Sequence, residues 1–255
     1  MCRRLTTGRR LIPLAVIAVS ATNASLASGL NVNPIYLHLK REEPTTTLRL
    51  GNGGAVPMRY QLSAFAWTQD AQGEMQLNPT QEILLFPPVF ALLPNEERLV
   101  RIGTTAAFAD KEKTFRIFVE EFEPDAAQPG TGPALRIRTR IGLPVFLDPP
   151  APTSTARIDA VTVGRSQISI HLKSTGNAHV HLQGVQVLAA AAPEGPSLYE
   201  HRWGPAYLLA GNDLRLTAQL PPEHCAQLRS VHVIVSTERG SIEQSVQLTP
   251  GACTR

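Results

Sequence analysis

Two histidines, His179 and His181, lie two residues apart in the second half of the chain. On a β-strand such residues point to the same face, and their imidazole nitrogens bind zinc or copper when a third ligand joins them. His171 or His232 would supply that ligand. A polar strand surface explains the same spacing without a metal, and we prefer that interpretation. We therefore predict no metal site, with a metal-dependent enzyme built on the histidine pair as an alternative.

The short motifs of common enzymes are missing from the sequence. It contains no G-x-S-x-G, H-E-x-x-H, Walker A or dinucleotide-binding glycine pattern, each of which would indicate a defined catalytic or nucleotide site. Acidic residues are frequent, but no pair of them stands out from a solvated surface. We predict a protein that is not an enzyme, with no catalytic residue and no cofactor.

The N-terminus reads as an export signal. Four arginines, the last of them Arg10, precede the apolar run from Leu11 to Val19, which is too short to span a bilayer. Small residues favour cleavage after Ala27, with Ala24 as the near alternative, so residues 1–27 are predicted to be a signal peptide. The mature chain then carries 20 basic and 21 acidic residues, because four of the 24 Lys and Arg leave and no acid does.

Export also determines the expected partners and location. A nearly neutral mature chain gives no reason to expect nucleic-acid binding. No other apolar run approaches membrane-spanning length, so we expect no membrane insertion of the mature chain. Two cysteines remain, Cys225 and Cys253, and in an exported protein they most simply form a disulfide. Two unpaired thiols are the alternative.

The remaining sequence is a series of short alternating runs separated by Gly, Pro and polar turns, which is typical of antiparallel β-sandwiches. Pro34–Leu39 and Thr45–Leu50 are predicted strands, and Gly51–Gly54 is a predicted turn. A brief helical turn is expected at 106–111. The segment from Asp148 to Thr153 holds three prolines and reads as a stiff linker. We predict an all-β protein of two sandwiches with a boundary near Pro150.

An unusual strand is predicted just before this linker. Its alternating apolar side chains share one face, and three arginines share the other. An ordinary edge strand, with its apolar face on the core and its charges in water, accounts for this pattern. The apolar members are Leu135, Ile137, Thr139, Ile141, Leu143 and Val145, and the basic ones are Arg136, Arg138 and Arg140.

The order and spacing of four segments closely resemble the first domain of the periplasmic pilus-assembly chaperones, immunoglobulin-like proteins that carry fimbrial subunits to an outer-membrane usher. These segments are Phe86–Phe90, Leu93–Ile102, Thr114–Glu121 and Leu135–Phe146. The resemblance implies two immunoglobulin-like β-sandwich domains, 28–149 with a donor strand and 150–255, joined by the proline-rich linker. It implies an ATP-independent periplasmic chaperone whose partners are pilus subunits and the usher.

In that family the last strand of the first domain inserts alternating apolar residues into an incomplete subunit. By this match the donor residues are Leu135, Ile137, Thr139 and Ile141. Well-known members hold the C-terminal carboxylate of the subunit with two cations, but the matching positions here are Tyr36 and Gly142. Pro34–Tyr36 and Thr114–Glu121 resemble instead the archaic, non-classical branch, in which the cation is an arginine of the penultimate strand, here Arg116. Arg138 and Arg140 are secondary candidates.

Two alternatives stay open. Arg116 would be an ordinary solvated strand residue if it pairs with Glu120 or an acid on a neighbouring strand. The whole chain would be a secreted structural or adhesive two-domain β-sandwich protein if the apolar stripe were buried within its own fold.

Overall fold

The computed structural model describes residues 29–70, 72–122, 138–164, 166–193, 195–249 and 252. The predicted signal peptide lies outside these residues. The first half of the chain forms ten strands: β1 Leu30–Asn33, β2 Leu37–Leu39, β3 Thr45–Asn52, β4 Met58–Gln69, β5 Met75–Pro79, β6 Ile83–Phe86, β7 Val89–Leu92, β8 Glu97–Thr104, β9 Lys113–Glu121 and β10 Arg140–Leu147.

The second half forms eight more strands and one short helix among the described residues. They are β11 Ala156–Gly164, β12 Gln167–Ser174, β13 Val180–Ala190, β14 Ser197–Trp203, β15 Ala206–Leu208, β16 Asp213–Gln219, α1 Pro222–Cys225, β17 Ser230–Thr237 and β18 Gly240–Gln247. No described helix has the length and apolar character that crossing a membrane requires.

The strands β1–β10 build the first sandwich. One sheet has the order β1-β3-β8-β6, and the other has the order β2-β10-β9-β4-β5, with β7 also paired to β4. Alternate side chains of the facing strands fill the space between the sheets. Leu48, Ile102, Ile117 and Val145 are completely buried there. On the second face of the β2-β10-β9-β4-β5 sheet, Trp67 and Phe146 are turned toward the other half of the molecule.

The strands β11–β18 build the second sandwich, with sheets ordered β11-β12-β16 and β14-β13-β17-β18, and with β15 also paired to β13. Its separate core includes Ile170, Leu182, Val187 and Val233. The expected all-β fold of two sandwiches is confirmed, because each half has its own pair of sheets and its own apolar cluster.

A third, small apolar cluster joins the two sandwiches. Trp67 and Phe146 from the first pack against Leu209 from the second. Around them, Gln69 donates to the carbonyl of Tyr207 at 2.7 Å and accepts from the amide of Leu209 at 3.0 Å. These contacts join the two sandwiches at one side of the cleft that lies between them.

Several local predictions from the sequence are wrong. Pro34 to Tyr36 form no strand, and β2 begins only at Leu37. β3 continues through Gly51 and Asn52, because these two residues pair with Asn31 and Leu30 of β1. The buried side-chain amide of Asn52 also donates to the carbonyls of Val56 and Leu92. Residues 106–111 contain bends at Ala106, Asp110 and Lys111 and no helical turn.

Candidate functional site

The strand β10 has an open edge at its start. On one side it pairs with β9 along its full length, from Arg140 to Leu147. On the other side it pairs with β2 only at 145–147. Among the described residues, no strand covers the second edge of 140–144, so this stretch can form backbone hydrogen bonds with an added strand.

The predicted apolar stripe follows the inner face of β10. Leu143, Val145 and Leu147 are buried in the first core, and Ile141 is half-buried at its margin. Thr139 precedes the strand and accepts a hydrogen bond from the amide of Glu121 at 2.9 Å. Leu135 and Ile137 lie outside the described residues. The stripe therefore runs from this protein's own core toward the open end of the strand.

The arginines expected on the other face differ in their surroundings. Arg140 forms an ion pair with Glu120 at 2.7 Å and places its guanidinium 3.9 Å from the centre of the Phe118 ring. Arg138 is exposed and lies before the start of β10. Glu120 therefore pairs with Arg140 and is not the partner of Arg116.

Arg116 lies on β9, directly opposite Pro144 of β10. Its flanking residues Phe115 and Ile117 are buried in the first core, so alternation turns Arg116 to the cleft face. Its guanidinium donates to the carbonyl of Gly142 at 3.3 Å and lies 5.3 Å from the centre of the Trp67 ring.

The charge of Arg116 is not neutralised within the described part of the chain. It forms no ion pair there, and its buried Nε has no hydrogen-bond acceptor. Burial lowers the pKa of Arg116 from its usual value, although a guanidinium keeps its proton at any physiological pH. A half-buried cation with unused donors is suited to bind an anion, and a carboxylate fits its two-pronged geometry.

Aromatic residues surround this cation, and sequence reasoning did not identify them. Trp67 contacts Tyr207 edge to face with 5.3 Å between ring centres, and Tyr207 comes from the second sandwich. Burial raises the pKa of the Tyr207 phenol, which stays a neutral donor. Register explains the arrangement on the first sandwich: Phe65 lies opposite Arg116 across β4 and β9, so Trp67, two residues further on, shares its face.

The histidines that suggested a metal site are each bonded to a carboxylate. The Nδ1 atom of His179 lies 2.9 Å from an oxygen of Glu112, whose side chain is 1% exposed, and that of His181 lies 2.8 Å from Glu238. His179 also stacks on Phe146, with 3.8 Å between ring centres. Within the described residues, no three His, Cys, Asp or Glu side chains are grouped so as to hold a metal ion.

The histidine pair instead contributes to the joint between the sandwiches. Glu112 belongs to the first sandwich and accepts bonds from both the backbone and the ring of His179. Glu112 had no signal in the sequence, because nothing local distinguishes a buried acid from a solvated one. Cys225 is 4% exposed in the second core. Cys253, its predicted disulfide partner, lies outside the described residues.

Comparison with known proteins connects this geometry to a family. Residues 29–153 match the family model described as "Pili and flagellar-assembly chaperone, PapD N-terminal domain". No curated protein sequence matches the chain significantly.

Solved structures share the fold of both sandwiches. The CsuC chaperone bound to the CsuE tip adhesion subunit, from the archaic Csu pili of Acinetobacter baumannii, has a TM-score of 0.58 at 18% identity, covering 84% of this chain and 97% of that one. The YadV chaperone has a TM-score of 0.58 at 15% identity, covering 86% and 100%. The SafB chaperone with the SafA pilin from Salmonella enterica has a TM-score of 0.57 at 17% identity, covering 88% and 99%.

These findings decide between the broad classes considered from the sequence. The match of the first sandwich to a chaperone domain confirms a non-enzymatic protein. It also removes the reason to read the chain as a structural or adhesive module. The first sandwich is therefore a PapD-like pilus-assembly chaperone domain, and the chain as a whole has the two-sandwich fold of these solved chaperones.

Proposed function

We propose that this chaperone binds pilus subunits by lending them the open edge of β10 and then delivers them to an outer-membrane usher. The observation that carries the proposal is the half-covered strand itself. Residues 140–144 pair on one side only among the described strands, and their inner face continues an apolar stripe. An edge of this kind offers main-chain hydrogen bonds for affinity and alternate side chains for specificity.

The donor residues are Leu135, Ile137, Thr139 and Ile141. Ile141 supports this assignment because it lies where the stripe leaves the protein's own core and is only half-buried. Residues further along the same face of the strand, such as Leu143, are already buried inside the first sandwich. The apolar donor side chains that precede Leu143 would be buried in pockets of the incomplete sandwich of the pilus subunit.

Arg116 is the proposed anchor for the C-terminal carboxylate of the subunit. It faces the cleft, is half-buried and has no acid partner among the described residues. Arg140 is a weaker candidate because Glu120 and Phe118 already occupy its guanidinium. Arg138 is exposed to water and would hold a carboxylate less tightly.

We assign the chain to the archaic branch. The absence of a cation at Tyr36 and Gly142, together with a cation at Arg116, supports this assignment. Two of the similar structures hold a chaperone together with a pilin or a tip adhesion subunit, one of them from archaic pili.

The remaining organisation follows the same proposal. A signal peptide over 1–27 directs the protein to the periplasm, and the domains span 28–149 and 150–255. A Cys225–Cys253 disulfide closes the second domain in that oxidising compartment. Neither ATP nor a cofactor is required, since the free-energy difference between the chaperone-bound and the polymer-bound subunit can drive release.

Two substitutions in the same apolar stripe test the donor assignment. Ile137→Asp is expected to abolish copurification of co-expressed pilus subunits while the circular dichroism spectrum stays unchanged. Leu143→Asp is the matched control: Leu143 is 2% exposed, so a buried charge there should unfold the first sandwich. If Ile137→Asp unfolds the protein as Leu143→Asp does, or if it still binds subunits, the donor assignment is wrong.

A further inference from the structure

Gly142 is the point at which the cation of the cleft and the donor strand touch. A Cβ atom placed on Gly142 would lie 2.8 Å from Nε of Arg116 and 2.9 Å from a ring carbon of Phe118. Real Cβ atoms do not approach other atoms so closely. The guanidinium of Arg116 therefore lies against β10 in space that only glycine leaves empty.

The backbone of Gly142 does not itself need glycine. It lies within the regular β9–β10 ladder opposite Phe118, and its φ is in the range that any residue adopts. A glycine inside a strand weakens the strand, so its presence here has to be explained by space. The close approach of Arg116 provides that explanation.

Two further contacts of its guanidinium hold Arg116 in this position. Its NH2 group donates to the Gly142 carbonyl, and its NH1 group lies 3.7 Å from the sulfur of Met75. The ring of Phe118 lies on the side toward the start of β10 and is covered by Arg140. A side chain at 142 would push the guanidinium away from β10, and the carboxylate that it binds would move with it.

We infer that Gly142 is a positioning residue for carboxylate binding: it keeps Arg116 flat against the donor strand, so that a bound carboxylate sits at a fixed register relative to that strand. This inference rests on the proposed role of Arg116. It follows that Arg116 could not keep its present position if residue 142 were larger than glycine.

The test uses a peptide from the C-terminus of a pilus subunit and compares its binding with a free carboxylate against its binding with an amidated end. The preference for the free acid is measured for wild type, Gly142→Ala, Arg116→Ala and the double variant. We expect Gly142→Ala to reduce the preference at least about tenfold, and to have no effect in the Arg116→Ala background. Gly51→Ala is the matched control, because a Cβ there meets its nearest atom at an ordinary 3.4 Å.

Thermal unfolding keeps the inference testable if Gly142→Ala folds poorly. Removing Arg116 should then restore part of the lost stability in the double variant, because one of the two collisions disappears. An unchanged acid preference in a folded Gly142→Ala protein would overturn the inference, as would a double variant that regains no stability. If Arg116→Ala alone keeps the full acid preference, the proposed anchor fails, whereas the stability comparison still tests the contact between Arg116 and Gly142.

Discussion

Replacing Arg116 by alanine should weaken subunit binding strongly while changing the stability of the chaperone little. At about 4 Å and an effective dielectric constant of about 20, a guanidinium and a carboxylate attract by about 4 kcal/mol. Arg116 is only half-buried, so solvent screening reduces this to about 2–4 kcal/mol. Because each 1.4 kcal/mol is a factor of ten, the dissociation constant should rise about 30- to 700-fold.

The stability of the free chaperone should change little in Arg116→Ala, because the substitution has two opposing effects. Arg116→Ala removes the contact with the Trp67 ring, which contributes about 0.5–1 kcal/mol, but it also removes a half-buried charge that has no acid partner in the described part of the chain. The two effects oppose each other, so the melting temperature should change by no more than about 4 °C.

The assay is calorimetric titration of the purified chaperone with peptides that carry the C-terminal residues of a pilus subunit. Amidating the peptide should produce a loss similar to that of Arg116→Ala, and the two changes together should not add. Arg140→Ala is the matched control, because its guanidinium is already paired with Glu120, and its loss should stay below about fivefold. Full additivity of amidation and Arg116→Ala would refute the assignment and direct attention to Arg138 and Arg140.

Two further predictions concern the rest of the molecule. The mature protein should begin near Ser28 and show no free thiol in non-reduced periplasmic material. Loss of the Cys225–Cys253 bridge should lower the free energy of unfolding by about 2–4 kcal/mol. Mass spectrometry that finds two free thiols would contradict the bridge. His38 bonds to Asp148 at 2.7 Å, and this hydrogen bond, with the nearby acidic charges, raises the pKa of His38 above 6.5. The resulting stability is fully present below about pH 6.5 and is lost as pH rises through the higher folded-state pKa, so the melting-temperature gap between wild type and His38→Gln should be larger at about pH 5.5 than at about pH 8.5.

The strands with clear alternation could be predicted from the sequence because their pattern is local. The runs that became β8, β9, β12 and β17 have apolar residues at every second position, and burial follows that period. The short strands β5, β14 and β15 had no such signal, because they follow the edges of longer strands and their pairing depends on those neighbours.

The candidate site was only partly predictable for a related reason. Alternation alone turns Arg116 away from the first core, but its contacts with Trp67 and Gly142 come from three strands that are distant in the sequence. The buried pair of Glu112 and His179 joins two sandwiches. Their orientation depends on packing between domains, which leaves no periodic pattern in either segment.

The most direct test of strand donation is amide hydrogen exchange across residues 138–144, measured in the free chaperone and again with a copurified pilus subunit bound. If an added strand pairs with the open edge, exchange in this segment should slow at least about tenfold on binding. The exposed edge strand β18, far along the chain in the second sandwich, is the internal control and should not change. A stable complex in which 138–144 exchange as fast as in the free protein would contradict donation of β10.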